Sequence, residues 1–314
     1  MAMSNSAKRL CAAALLLVVG SAADATTLFV NCGGKGPLTS IGAALKVLQG
    51  GLAAGPTTIN VSGACHENVV IQSIDRLTLN AVGGASITDA SGGALDVIDI
   101  FDSRDVAINR FTINAGSNGS GTNGVGCGDS SLCRLSGNVI QGAASGAGFS
   151  IFQQSQGTID GDTLQNNDIG LLVLSGSKLR QGADRTFVAR ANHRGIDLRR
   201  GAFAYVGAVV ENNSDVGVIV RFQSTLEITG GSISGNGNVG AVVREGSFAR
   251  FTATTISGNA GGGVTYSDLS MGDFVGSIVT GNGGQTDVLC NPQYSATRGA
   301  LTDTGGGTTN CVEP

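Results

Sequence analysis

Along the middle of the chain, apolar residues come in runs of three to five, and the runs return in a fixed order. Five segments end in Asn and restart at Gly: Asn167-Asp-Ile-Gly170, Asn192-His-Arg-Gly195, Asn213-Ser-Asp-Val-Gly217, Asn236-Gly-Asn-Val-Gly240 and Asn259-Ala-Gly-Gly-Gly263. The Asn positions step by 25, 21, 23 and 23 residues, and Asn282 continues the series. Each Gly opens an apolar stretch, as in Leu171–Val173, Ile196–Leu198, Val218–Val220, Ala241–Val243 and Val264–Tyr266. A second, β-branched run follows, for example Leu226–Ile228, and a third closes the unit, for example Ser232–Ser234 or Thr255–Ser257. A unit of ~23 residues thus holds three short strands and no segment of helical period.

This pattern predicts an all-β fold: a single-stranded right-handed parallel β-helix, or β-solenoid, of about 23 residues per coil, with coils stacked ~4.8 Å apart. The right hand follows from the preference of parallel crossovers. Strand alternation sends Ile196, Leu198, Val218, Val220, Ala241 and Val243 inward. The recurrent Asn tolerates left-handed backbone, and stacked amides pair from coil to coil at the turn. A leucine-rich repeat has a similar period, but it expects several Leu per unit and often a convex-side helix, and neither is present.

The repeats are clearest over residues 148–284, and earlier coils are less regular. Thr58–Val61, Val69–Ile71, Leu77–Leu79, Val97–Ile100 and Phe111–Ile113 read as strands, and the Gly/Ser/Asn-rich segment Ala115–Leu132 as a loop excursion pinned by Cys133. Ser40 to Gln49, stopped by Gly50-Gly51, predicts an amphipathic capping helix near residues 40–50 with Ser40 as N-cap. It would cover the open N-terminal edge, as a disulfide-pinned cap at 285–314 would cover the other. Phe187, Phe203 and Phe251 fall in strand positions suited to core stacks. No proline lies between Pro56 and Pro292, which leaves the middle free for strands and turns.

The first residues change the picture of where this solenoid works. Lys8 and Arg9 precede an apolar run from Leu10 to Val19, and Ala23-Asp24-Ala25 offers a cleavage pattern, so residues 1–25 are expected to be a secretory signal peptide and 26–314 one secreted or periplasmic domain. The competing reading is a retained N-terminal anchor; no later stretch has the ~20 apolar residues of a membrane span. Cys11 leaves with the signal, and six cysteines remain. Six allow 15 connectivities, but their grouping favours Cys32–Cys65, Cys127–Cys133 and Cys290–Cys311. There is no C-x-x-C pair, and with two histidines no metal site or cofactor is read. Asp99, Asp102 and Asp105 form no calcium loop. A formal net charge of −4 without a basic run argues against nucleic acid. A monomer is expected.

The stretch Ser40–Leu45, then Thr58–Val61, then Gly63-Ala-Cys65-His66-Glu67-Asn68-Val69-Val70-Ile71 resembles the opening of pectin-lyase-like β-helix proteins, with Cys65 where that superfamily usually has Tyr. The resemblance implies the fold for most of the chain but no single activity. The superfamily's enzymes act on pectin-type and other acidic polysaccharides. Their motifs are missing: there is no Trp for a pectin methylesterase Arg-Pro-Trp element, and no Asp-Asp for a polygalacturonase. Nor is there a central Pro near an Arg for a classical pectate lyase.

Two constellations carry chemistry. Four residues after the anchoring Gly stand Arg199, Arg221 and Arg244, which alternation turns outward in successive coils. Like charges ~4.8 Å apart repel by roughly 1 kcal/mol in water and about 3 at an effective dielectric of 20. Relief would come from Asp197, Glu227 and Glu245, or from an anionic ligand such as an acidic polysaccharide gripped by the guanidinium forks. One residue after each Asn stand Asp168, His193 and Ser214, a carboxylate, an imidazole and a hydroxyl in neighbouring turns. His193 beside Arg194 and Asp197 also offers a general base next to a carboxylate clamp. His66 and Glu67 sit in the structural opening, where packing suffices. With Trp absent and three Tyr, a neutral glycan is a poor ligand. The expectation is an exported protein that binds an extended anionic glycan on an exterior sheet. The alternatives are a polysaccharide lyase or glycoside hydrolase using His193, and a structural or adhesive envelope spacer.

Overall fold

The computed structural model describes residues 25–52, 55–117, 121–183, 186–291, 296–298 and 305–311; the expected signal peptide lies almost wholly outside them. The chain winds as a parallel β-solenoid of about ten coils. One strand from each coil enters a ten-stranded sheet that runs in chain order: Val69–Gln72, Ile98–Phe101, Val125–Gly128, Ala147–Ile151, Ile169–Leu174, Arg194–Arg199, Val218–Arg221, Val239–Val243, Gly262–Tyr266 and Val288–Cys290. The other strands form a broad parallel sheet, in which some coils contribute one long continuous strand, such as Thr57–His66, Leu77–Thr88, Phe203–Glu211 and Thr225–Ser234.

Pairing keeps like positions in register, Ile196 on Val218 on Ala241 and Leu198 on Val220 on Val243, and all six side chains are fully buried, as alternation requires. Phe187 and Phe251 are buried too, and Phe251 stacks on Phe274 at 5.6 Å. Phe203 departs from expectation: it occupies an outward position of its strand and is only half-buried.

The turns are held by side-chain ladders. Asn167, Asn192, Asn213, Asn236, Asn259 and Asn282 stack one per coil, all but Asn282 buried. Each Nδ2 donates to the next Oδ1, at 3.1 Å for Asn192 to Asn213 and 2.9 Å for Asn213 to Asn236. The anchoring Gly is required here, because a Cβ on Gly195 would lie 2.5 Å from Gly217 O and 2.9 Å from Asn213 Nδ2. A second ladder was not evident in the sequence. The hydroxyls of Ser131, Ser155, Ser177, Ser224, Ser247 and Ser270 each accept the backbone N–H of the preceding coil at 3.1–3.3 Å. Both ladders satisfy buried polar backbone where the chain turns and sheet bonding stops.

The N-terminal cap is the helix Ile41–Val47, N-capped by Ser40 Oγ at 3.1 Å from Ala43 N. Glu67 reaches across from the first coil and accepts from Ile41 N at 2.7 Å and Gly42 N at 2.9 Å. Its carboxylate thus serves the helix end. The three disulfides are Cys32–Cys65, Cys127–Cys133 and Cys290–Cys311. Much of the C-terminal cap lies outside the described residues, but Cys311 ties residues 305–311 back to the last sheet strand.

The expected loop excursion 115–132 is shorter than the sequence suggests, since Val125–Gly128 is a full member of the ten-stranded sheet. Its outward positions are glycines because neighbours fill the space. A Cβ on Gly126 would lie 2.5 Å from Asp96 Oδ2, and one on Gly128 2.5 Å from the Phe152 ring. Such a strand shows no hydrophobic alternation to read. Among the described residues no helix is long and apolar enough to cross a membrane.

Candidate functional site

The exterior of the ten-stranded sheet carries both constellations, because their strands, Arg194–Arg199 and Val218–Arg221, are neighbours. Arg199 and Arg221 are register partners. Arg244 follows directly after the next strand, and its N–H donates to Val220 O at 2.9 Å.

The guanidinium groups do not simply stack in water. Asp197, outward on the same strand, is fully buried beneath them. Its Oδ2 lies 2.9 Å from Arg221 Nη2, 3.5 Å from Arg199 Nη2 and 3.9 Å from Arg194 Nη1. The column positions on either side of Asp197 are Leu172 and Ile219, so this carboxylate is flanked by apolar neighbours in its row. Arg221 also lies over the Phe222 ring at 5.8 Å. Arg244 stands apart, 3.8 Å from Glu245. Glu227, expected nearby, is on the broad sheet between Tyr205 and Arg250 and does not belong to this site.

Three guanidinium groups share Asp197, and Asp215 lies 3.8 Å from Arg194, which leaves three cations to two carboxylates on a half-covered surface. Burial pulls the Arg199 guanidinium below its ordinary range; Asp197 opposes that, while Arg221, Arg194 and Arg200 add to it. The Nε atoms of Arg194, Arg199 and Arg221 and the Oδ1 of Asp197 have no hydrogen-bond partner. The carboxylate therefore positions the cluster without saturating it.

The turn column forms in part. His193 Nδ1 lies 2.9 Å from Asp168 Oδ1, as the sequence spacing allows. Its other face meets Asp215 Oδ2 at 3.8 Å, and Ser214 is exposed to one side. The reason is turn length: Asn213 to Gly217 has one more residue than Asn192 to Gly195, which shifts the facing side chain by one. Asp215 Oδ2 also lies 3.8 Å from Arg194 Nε, so His193, Asp215, Arg194 and Asp197 form one chain of contacts. Among the described residues the side-chain contacts of His193 are to the carboxylates of Asp168 and Asp215 and none is to a hydroxyl.

Four coils away on the same face, Asp96 and Asp99 converge over Gly126. Burial, then the charges of Asp96 and Asp129, raise Asp99 to about 6. A carboxyl whose folded value exceeds its unfolded value of 3.8 contributes stability that is complete below 3.8 and is lost as pH rises through about 6. Asp99→Asn is expected to flatten the pH dependence of Tm between 4 and 6 and to raise Tm at pH 7.5 by about 1–3 °C. An unchanged pH profile would place the titration elsewhere.

A family profile described as "Right handed beta helix region" matches residues 97–306. Among solved structures, the A-module of the Azotobacter vinelandii mannuronan C-5 epimerase AlgE6 superposes with a TM-score of 0.65 at 16% identity, over 85% of this chain and 79% of that one. The AlgE4 A-module from the same organism gives 0.64 at 14% identity, over 83% and 81%. These likenesses concern the fold. No curated protein matches the sequence.

Proposed function

Because the chain belongs to the right-handed β-helix family, and its ten-stranded face holds an arginine cluster with too few counter-charges, we propose that it binds an extended anionic glycan along that face. The observation that carries this reading is the convergence of Arg194, Arg199 and Arg221 on the single carboxylate of Asp197. Each guanidinium keeps donors beyond that contact, and a planar fork suits a carboxylate or sulfate better than it suits water. A flat parallel sheet supplies a long, rigid track with no need to order the protein on binding. The structural neighbours named as mannuronan C-5 epimerases support a uronate polymer as the first probe. Three disulfides and the N-terminal expectation support an exported setting, where such polymers are found.

The test is calorimetric titration with polymannuronate at low and high salt. The double variant Arg194→Gln/Arg199→Gln leaves the 2.9 Å Arg221–Asp197 contact in place. Binding that weakens with salt and falls at least tenfold in the variant is expected, since each charged hydrogen bond lost costs about 1.5–3 kcal/mol. Equal affinity in variant and parent would refute the site. A second reading, catalysis on the bound glycan, draws on the His193–Asp168 contact. Turnover of the same polymer that disappears in His193→Gln with binding intact would favour it.

A further inference from the structure

The broad sheet has its own exterior, with a different pattern of charge. Two of its outward columns bear on one groove. One runs Arg134, Thr158, Arg180, Tyr205, Glu227, Arg250 and Asp273, and the other holds Gln156, Lys178, Phe203 and Thr225. Arg134 is paired with Asp105, and Arg250 Nε lies 3.3 Å from Asp273. Lys178 and Arg180, both exposed, meet no carboxylate among the described residues.

Between the two arginines the column narrows to Thr158, and the strand interior there is Gly157, whose missing side chain leaves room for Ile151 and Leu179. On the exterior, over the small Thr158, lies a groove of about 310 Å³ lined by Leu132, Gln156, Gly157, Thr158, Lys178 and Arg180. That volume is at the lower end of ligand clefts, which begin near 300 Å³. No acid lines it. It offers two cations, an amide and a hydroxyl, which is the donor set of an anion and hydroxyl site. Directly beyond Arg180 in register stands Tyr205, 42% exposed, in a protein without Trp. An exposed ring with a polar tip one coil from a free guanidinium suits a sugar face beside its acid group. The coil spacing of ~4.8 Å is close to the advance of one pyranose in an extended polymer, so Thr158, Arg180 and Tyr205 present one contact per ring.

We propose that the groove of Gln156, Thr158, Lys178 and Arg180, with the Tyr205 ring beside it, is a second binding site for an anionic sugar polymer, separate from the arginine cluster on the ten-stranded face. With both faces occupied, one solenoid would hold two polymer chains.

The difference in tyrosine emission between parent and Tyr205→Phe reads this site, because no Trp masks it and the other two tyrosines, Tyr266 and Tyr294, are common to both proteins. Polymannuronate, dextran sulfate and neutral dextran would be titrated into the full chain with emission followed. A saturable change is expected with at least one of the two anionic polymers and none with dextran; which of the two acts tells carboxylate from sulfate recognition. The midpoint should move at least tenfold in Lys178→Gln/Arg180→Gln. The signal should vanish in Tyr205→Phe and stay unaltered in Arg194→Gln/Arg199→Gln, which disables only the other face. No emission change with either polymer, or the same midpoint in the Lys178/Arg180 variant, would overturn the proposal while leaving the arginine-cluster reading to its own test.

Discussion

Asn213→Ala is expected to lower the unfolding free energy by about 3–6 kcal/mol, an unusually large loss for a turn residue. In the ladder Asn213 Oδ1 accepts from Asn192 N at 3.0 Å and from Asn192 Nδ2 at 3.1 Å. Its Nδ2 donates to Ala189 O at 3.2 Å and to Asn236 Oδ1 at 2.9 Å. Truncation orphans two donors of Asn192 and the carbonyl of Ala189, all in the buried turn, and each such group costs about 1–3 kcal/mol. Asn213→Asp is expected to fare no better, because a carboxylate offers no donor to Ala189 O or to Asn236 Oδ1. Asp287 shows where an acid is accepted. It ends the ladder, takes both donors of Asn282 at 3.1 and 3.0 Å, and has Thr308 N on its other oxygen at 3.1 Å. Chemical denaturation of parent and variants with comparison of midpoints and slopes is the measurement. A loss below about 1 kcal/mol would mean that water or a shifted coil satisfies the freed groups.

Asp197→Asn should move two properties in opposite directions. Stability is expected to fall by about 3 kcal/mol, because three arginines lose the one buried counter-charge that holds them together. Affinity for polymannuronate is expected to rise several-fold at low salt, with a steeper salt dependence, because the cluster then carries one more uncompensated charge. The isosteric amide still accepts from Arg221, so the geometry of the cluster is kept. Weaker glycan binding in Asp197→Asn would instead show that the charge of the buried carboxylate is needed to hold the arginines in their binding arrangement. Unchanged stability would show that the arginines are already neutralised by solvent ions.

The solenoid was legible because its determinants are local and repeated. Period, alternation, the Asn-to-Gly turn and the three cysteine pairs all lie on the sequence, and the Asn ladder and inward columns appear where they predict. The failures share one cause. Val125–Gly128 was hidden because its outward residues are glycines that accommodate Asp96, Asp99 and Phe152 from neighbouring coils. The serine ladder was hidden because serine is common and a step of about one coil is visible only once the coils are aligned. Phe203 was misplaced because a half-covered outward ring has the same sequence neighbourhood as an inward one.

The site divides the same way. Alternation by itself turned Arg199, Arg221 and Asp197 to one face and set Asp168 beside His193. Only the stacked coils decided that Asp197 would be buried under three guanidiniums, that Glu227 would belong to another sheet, and that Asp215 would take the position foreseen for Ser214. They also made Lys178, Arg180 and Tyr205 neighbours. Strand period fixes the direction in which a side chain leaves the backbone. Which charges meet depends on the length of each turn and on the coil above and below, and those are properties of the assembled solenoid.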